Sequence, residues 1–179
     1  MFYIPGILIS IATFPGVIFH ELGHLLFCKL RKVPVLEVCF FQFDNRVAGY
    51  VVHEEPKSFL STFLVSVGPF IVNTIACLLI CIPAAIPYEL FGDRSLMTYF
   101  YLWLGISIGM HAFPSNQDAG ILWRRTLEEV GRGNFLAYLC MPVVALVYLA
   151  NLLSMFWFDA VYGFFIGVVL PKMIVTILL

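Results

Sequence analysis

Charged residues are scarce in this 179-residue chain: Asp, Glu, Lys and Arg make up only 12% of it, about half their share in an average soluble protein. Hydrophobic residues make up 61%, and the mean hydropathy is +0.97. So little charge cannot cover the surface of a water-soluble domain of this size. The composition therefore predicts an integral membrane protein whose main surroundings are the lipid bilayer.

Other absences exclude further classes of protein. The net charge of −1 offers no attraction for nucleic acid, and the sequence has no glycine-rich loop of the kind that binds phosphate. The cysteines form no CxxC pair, so we expect neither a disulfide framework nor a cysteine metal cluster. The first apolar run lacks a basic leader and a small-residue cleavage site, which predicts a retained span.

Five apolar segments, labelled A to E, follow one another along the chain. Because one span needs about 20 mostly apolar residues, they predict an all-α polytopic membrane protein with about five transmembrane helices. We expect one membrane-embedded domain over residues 1–179, with a core at 1–125 and C-terminal spans at 134–179. Segments A to E cover residues 2–30, 57–88, 95–113, 135–156 and 159–179.

The connection between segments A and B has a different pattern. Over residues 34–53, Val, Phe and Tyr alternate loosely around Asp44 and Asn45, and the stretch is too short and too interrupted for a span. This pattern predicts a small β-hairpin with its turn at Asp44 and Asn45.

Basic residues are unevenly distributed among the connections. The A–B connection holds five and the C–D connection three, which makes eight, whereas the B–C connection holds only Arg94. Positive residues favour the cytosolic side. We therefore expect the N-terminus outside, with the hairpin and the C–D connection in the cytosol. Five spans would then leave the C-terminus inside.

Segment A contains the motif HELGH, with His20, Glu21 and His24 inside an otherwise apolar run. Helical positions i and i+4 share one face, so both imidazoles can bind one metal ion. Glu21 lies about 100° away around the helix, where it can take a proton from a metal-bound water. Gly23 leaves a bare spot for a neighbouring helix, and Pro15 predicts a kink before the motif.

A polar cluster that only packs helices together is the alternative interpretation of HELGH. An ionisable group in mid-membrane costs about 2.5–3.5 kcal/mol on insertion scales. Three polar groups on one turn need an interaction that satisfies them, which favours a bound metal.

A zinc site needs a third protein ligand and leaves one position open for chemistry. Asp118, His111, Asn73 and Asn151 are the candidates that lie within or beside apolar segments. Asp118 is favoured, because it is the only acidic residue in the break that follows segment C, which unwinds at Pro114. The alternative role for Asp118 is a helix N-cap. His111 is the rival ligand, or a donor that supports a ligand.

Four motifs in this order resemble the site-2 protease family of intramembrane zinc metalloproteases: HELGH, the hairpin, GPFIVN and HAFPSNQDAG. The similarity covers about residues 16–125. It implies that His20, His24 and Asp118 bind one Zn²⁺ and that Glu21 is the catalytic base. The sequence departs from the family pattern at His111, which replaces an Asn, in the spacing from Pro114 to Asp118, and in the position of Asn73.

The resemblance implies hydrolysis of a peptide bond within or next to the transmembrane helix of a single-span membrane protein, near the cytosolic side. An exposed strand edge gives an unwound substrate new backbone partners, and Val51 and Val52 lie where this is expected. Alternatively, the hairpin only plugs the cytosolic face. The other residues expected around the site, for substrate, water or support of ligands, are Asn73, His111, Pro114, Ser115 and Asn116.

Two further alternatives stay open at the level of sequence. The chain could be a non-proteolytic membrane protein whose zinc site serves structure or signalling, in which case a fourth side chain should close the site. Asn73 could bind substrate backbone or hold segments A and B together. The GxxxG pair Gly163 and Gly167 could pack within the chain or form a dimer contact.

Overall fold

A computed structural model of the chain describes residues 6–43 and 48–178. The described part is mainly helical and contains one two-stranded antiparallel sheet, as predicted. The elements in chain order are α1 (Gly6–Ala12), α2 (Phe14–Leu30), β1 (Val35–Cys39), β2 (Tyr50–His53), α3 (Phe59–Leu90), α4 (Leu96–Met110), α5 (Asn116–Gly131), α6 (Phe135–Leu153), a 3₁₀ turn (Ser154–Phe156), α7 (Phe158–Phe164), a π-helical turn (Phe165–Val169) and α8 (Leu170–Leu178).

Three helical stretches among the described residues are long and apolar enough to cross a membrane: Phe59–Leu90, Phe135–Phe156 and Phe158–Leu178. They correspond to segments B, D and E. In segment C, α4 is apolar but has only 15 residues, about 22 Å of helix against a hydrocarbon core of about 30 Å. In segment A, α2 has 17 residues. The count of five spans therefore stays a prediction.

Segment A is interrupted just before Pro15, the residue at which a kink was predicted. The chain breaks at Thr13, whose backbone N–H and hydroxyl both donate to Ile9 O, at 2.9 and 2.7 Å. Pro15 then lies in the first turn of α2. Its missing N–H costs nothing there, because the first N–H groups of a helix have no partner within the helix. α1 and α2 are therefore separate helices on either side of Thr13.

Two glycines bring α2 close to its neighbours. A Cβ added to Gly23 would lie 2.6 Å from Pro69 Cα on α3, and one added to Gly16 would lie 2.0 Å from Ser107 O on α4. Only glycine permits such close approach. The neighbouring helix that was expected to pack against Gly23 is therefore α3. The HELGH turn faces both α3 and α4.

We expect Gly23→Ala to lower the thermal unfolding midpoint of the purified protein in detergent. The added methyl group meets backbone, which cannot rotate away, and overpacking of this kind costs about 1–3 kcal/mol. Gly120→Ala is the matched control, because its Cβ would meet no described atom within 4 Å. Alanine in a helix interior should instead stabilise α5 by roughly 0.5–1 kcal/mol. Equal midpoints for the two variants would contradict the close α2–α3 contact.

Helices α5 and α6 form an antiparallel pair. Trp123 stacks on Tyr148 with ring centroids 5.2 Å apart, and Asn134 Nδ2 donates to Glu129 Oε2 at 2.8 Å where the two helices join. At the other end, Asn151 Nδ2 donates to Pro114 O at 2.8 Å. The end of α6 therefore lies beside the break between α4 and α5.

Segment E runs parallel to α3. Tyr162 and Thr74 share a hydrogen bond of 2.8 Å between their hydroxyls, and further along Lys172 Nζ lies 3.5 Å from Glu89 Oε2. Five alternating spans that end inside would run segment E opposite to α3, so the parallel course does not fit that alternation. The physical reason is that segment E begins beside the α4–α5 break, where α6 ends, and not at the far end of α4.

The GxxxG pair in segment E packs within the chain. A Cβ added to Gly163 would lie 2.7 Å from Met110 N, and one added to Gly167 would lie 2.9 Å from Ile106 Cγ1. Both glycines therefore serve the close contact between segment E and α4.

The hairpin forms within the predicted range 34–53. Its register pairs Val38 with Val51 and Cys39 with Tyr50, and one irregularity falls between Val35 and Glu37. The predicted turn at Asp44 and Asn45 lies outside the described residues.

The hairpin also covers the middle of α2. A Cβ added to Gly49 would lie 2.9 Å from Glu21 Cγ. The start of β2 is thereby placed directly against the HELGH turn.

Candidate metal centre

His20, His24 and Asp118 come together as a possible metal site. Each residue offers one ligand atom, and these atoms all lie within 4.8 Å of one another. His24 Nε2 is 3.3 Å from Asp118 Oδ2, and the two imidazole rings meet edge to face at 4.9 Å. This side-chain group could hold a metal ion.

Backbone carbonyls fix the orientation of both imidazoles. His20 Nδ1 lies 2.8 Å from His111 O, and His24 Nδ1 lies 3.0 Å from Val65 O. A carbonyl oxygen only accepts hydrogen bonds, so each Nδ1 must carry the proton and donate. Nε2 of a neutral ring then keeps its lone pair, which is the usual arrangement of metal-binding histidines.

Ser115 positions Asp118. It is the N-cap of α5: its Oγ accepts from Asp118 N at 3.2 Å and donates to Asp118 Oδ2 at 2.6 Å. The alternative role of Asp118 as the N-cap is therefore wrong, and α5 begins at Asn116. The sequence carried a signal for this cap that was missed, because Ser followed three residues later by an acidic residue is a capping pattern.

Glu21 lies beside the metal group but outside it. Its side chain is buried, with 7% of the residue exposed, and it forms no hydrogen bond or ion pair within residues 6–43 and 48–178. The described metal group does not include it. A carboxylate in this place suits a proton acceptor better than a ligand.

Asn73 ties three helices together. It is fully buried, and its Nδ2 donates to Gly16 O on α2 and to Ile108 O and His111 O at the end of α4, at 3.0 to 3.3 Å. Three carbonyls around one nitrogen fix the amide orientation and leave Asn73 Oδ1 buried without a hydrogen-bond partner. Of its two predicted roles, these contacts favour holding the segments together.

His111 contacts the metal group through its main chain. Its carbonyl oxygen accepts from both His20 Nδ1 and Asn73 Nδ2. Its ring turns away and donates from Nδ1 to Ser107 O at 3.1 Å. The structure therefore does not bring the His111 imidazole into the described metal group.

The remaining predicted residues line two cavities that meet at the HELGH turn. We call the first the hairpin groove: it has a volume of about 390 Å³ and lies between β2 and α5, with Val51 and Val52 on one wall. We call the second the break cavity: it has a volume of about 320 Å³, and Pro114 and Asn116 are on its wall. His20, Glu21 and Ser115 line both cavities.

The donor set fits a zinc ion. Two imidazole nitrogens and one carboxylate oxygen are a known set for catalytic zinc sites, which keep a further position for water or substrate. Other divalent ions accept the same donors, so the geometry alone does not name the metal. The described residues add no fourth His, Cys, Asp or Glu to the group, and the open side faces the cavities.

Asn151 has a role that the sequence did not reveal. It was a candidate ligand, but it holds Pro114 O, and through it the loop before Ser115. This contact joins positions 37 residues apart, and no local pattern indicates it.

The resemblance to the site-2 protease family rests on the sequence motifs alone. No family model matches the chain, and neither a curated protein nor a solved structure matches it.

Proposed function

We propose that the chain is an intramembrane zinc metalloprotease of the site-2 type. Its reaction is hydrolysis of a peptide bond within or next to the transmembrane helix of a single-span membrane protein, near the cytosolic side. The observation that carries this proposal is the group of His20, His24 and Asp118, whose ligand atoms lie within 4.8 Å beside a buried Glu21 in a largely apolar helical chain.

Each residue of the site has a defined task in this reaction. When bound, zinc supplies Lewis acidity that polarises the scissile carbonyl and makes water more acidic. Glu21 accepts the proton of the attacking water and passes it to the leaving amine. His111 O and Val65 O keep the two imidazoles in their orientation, and Ser115 does the same for Asp118.

The open side of the metal group supports catalysis over the alternative, a structural or signalling zinc site. A structural zinc site is closed by four protein ligands. Within the described residues the group holds three, and the His111 imidazole points back to Ser107.

The hairpin groove supports a peptide as the substrate. All four residues of β2 line it, whereas no residue of β1 does, and Gln117 and Ile121 of α5 form the facing wall. An extended peptide between these walls can pair with the free edge of β2. That pairing satisfies the backbone groups that unwinding of a substrate helix exposes, and it places a peptide bond next to the metal group.

The membrane orientation follows from the charges. Arg31, at the end of α2, donates to Ser61 at the start of α3, so the basic end of α2 and the start of α3 share one side, which we place in the cytosol. The hairpin and the C–D connection are then cytosolic, and the start of α2 faces the outside. We propose that the five apolar segments A to E all lie in the membrane, with α3 and segment E running in the same direction, so that not every segment crosses it completely.

Proline at Val51 or Val52 should impair cleavage without loss of metal. Successive residues of an antiparallel strand direct their N–H groups alternately to the two edges, so one of these N–H groups faces the groove. Proline removes that donor. Loss of one hydrogen bond costs about 0.5–1.5 kcal/mol, so we expect about a two- to tenfold loss of cleavage rate from the outward position.

Val51→Ala and Val52→Ala are the matched controls, since they shorten the side chain and keep the N–H. Cleavage of a tagged single-span substrate is compared at equal expression and equal metal content. Equal activity of the proline and alanine variants would mean that the hairpin only plugs the cytosolic face.

The proposed function is tested by co-expression with a panel of tagged single-span membrane proteins. Cleavage products are compared between the wild-type chain and Glu21→Gln, and mass spectrometry locates the cut. A product that appears only with the wild-type chain and is cut within or next to the span is expected. Equal products with both chains would overturn the assignment.

A further inference from the structure

A proline inside α3 removes one hydrogen bond from that helix. Helix α3 runs without interruption over Phe59–Leu90 and contains Pro69, which is fully buried. Proline has no backbone N–H, and in a helix its ring clashes with the carbonyl four residues earlier. That carbonyl belongs to Val65, so Val65 O receives no helical hydrogen bond from position 69.

Val65 O is bonded to the His24 ring instead. His24 Nδ1 lies 3.0 Å from this oxygen, and both residues are buried. Because a carbonyl only accepts hydrogen bonds, the ring donates from Nδ1 and keeps Nε2 for the metal group. The acceptor on α3 thus fixes a metal-group side chain on α2.

The other imidazole of the metal group uses the same kind of acceptor. His20 Nδ1 donates to His111 O at 2.8 Å, and His111 directly follows the last residue of α4. Carbonyls at the end of a helix have no helical donor. Both rings are therefore held by main-chain oxygens that lack their usual helical partner, one at the end of a helix and the other four residues before a proline.

Gly23 brings the His24 ring and the Val65 carbonyl within reach of each other. The Cβ that Gly23 lacks would lie 2.6 Å from Pro69 Cα and 3.0 Å from Pro69 N. Helix α2 therefore packs against α3 at the proline itself, and the next residue of α2 is His24. The closest approach of the two helices and the freed carbonyl coincide.

We propose that Pro69 is a positioning residue for the metal group: it withholds the N–H that would otherwise bond to Val65 O, and so keeps this carbonyl for the His24 ring. A carbonyl inside a regular helix points along the axis at its i+4 donor. With an N–H at position 69, Val65 O would turn toward that donor and hold the ring more weakly. The importance of this effect for hydrolysis rests on the proposed function, whereas the effect on the ring does not.

Two changes at position 69 separate the missing N–H from the shape of the proline ring. Pro69→Ala supplies the N–H and removes the ring. Lactic acid, the α-hydroxy acid analogue of alanine, has the same methyl group but carries an ester oxygen in place of the N–H, and nonsense suppression introduces it at position 69. The alanine and ester variants leave the same space where the ring was and differ in the donor.

The first measurement is the exchange of the His24 Nδ1 proton with water in the metal-free protein. Labelling with ¹⁵N-histidine gives only four rings, and His24→Gln identifies the resonance. We expect exchange about two- to tenfold faster in Pro69→Ala than in the wild-type chain, as the loss of one hydrogen bond gives, and a rate close to wild type in the ester variant. Equal rates in the alanine and ester variants, whether slow or fast, would overturn the proposal.

Zinc affinity shows whether the position of the ring matters to the metal group. We expect a loss of about tenfold in Pro69→Ala, the lower end of the usual range for a residue that supports a ligand, and nearly wild-type affinity in the ester variant. Pro83→Ala is the matched control, because it adds an N–H to the same helix. Pro83 and Leu79, whose carbonyl that N–H would engage, line a separate cavity with Asp93 and Thr98. An equal loss in Pro83→Ala would overturn the proposal.

The two proposals fail in different ways, because proton exchange requires neither metal nor cleavage. Fast exchange in Pro69→Ala and slow exchange in the ester variant, with no cleavage by the wild-type chain, would retain the role of Pro69 and refute the protease. Cleavage by the wild-type chain with equal exchange in the two variants would refute the role of Pro69 alone.

Discussion

Glu21→Gln should lower the rate of cleavage by about 10²–10⁴-fold, the usual loss when a general base is removed, while the metal content stays at the wild-type level. The amide has the shape of the carboxylate, so the buried position beside Gly49 accommodates it, but it accepts no proton. The ligand atoms of His20, His24 and Asp118 are unaffected. Cleavage is followed with a purified single-span substrate, and metal by elemental analysis of the same preparation.

Glu37→Gln is the control for this experiment. Glu37 is exposed on β1, where it accepts a hydrogen bond from the Tyr50 hydroxyl at 2.5 Å, and the same change of chemistry there should leave cleavage nearly intact. Full activity in Glu21→Gln would refute the protease assignment. If Glu21→Gln instead lost the metal, this result would indicate that Glu21 is a metal ligand.

Asp118→Ala should weaken metal binding more strongly than any change among its supporting residues. Loss of a residue that supports a ligand typically costs 10–100-fold in metal affinity, and loss of the ligand itself should exceed about 100-fold. Ser115→Ala removes the hydroxyl that donates to Asp118 Oδ2, so a loss of about 10–100-fold is expected. Affinity is measured in detergent by competition with a chelating dye.

His111→Ala is the discriminating control for the metal site. It removes the imidazole but keeps the main-chain oxygen that accepts from His20 Nδ1, so metal affinity should stay close to the wild-type value. Full metal content in Asp118→Ala together with none in His111→Ala would exchange the roles of the two residues.

Local patterns in the sequence predicted the parts of the site that depend on short distances along the chain. The spacing of His20 and His24 places both rings on one helical face whatever surrounds the helix. The alternation over residues 34–53 was sufficient to predict the hairpin, because strand pairing across a short connection depends on few other contacts. Asp118 was chosen by its charge at the break, and the structure brings it to the two histidines.

Contacts between distant residues decided the rest. The direction of segment E depends on where α6 ends, and α6 ends beside Pro114, whose carbonyl accepts a hydrogen bond from Asn151. Hydropathy reports the length of an apolar segment but not the depth at which it begins, so alternation of spans was the natural expectation. The main-chain role of His111 could not be predicted from the sequence either. Every residue has a carbonyl group, and no local pattern shows which one a distant imidazole will bond to.

The bond between Asn151 and Pro114 also bears on how the protein is made. A nascent chain with its first 125 residues in the membrane already carries His20, Glu21, His24 and Asp118, but the amide that holds the loop before Ser115 is still to be translated. We therefore expect metal loading to follow the insertion of α6. The order of synthesis would then leave the proposed centre without its metal until α6 is in place.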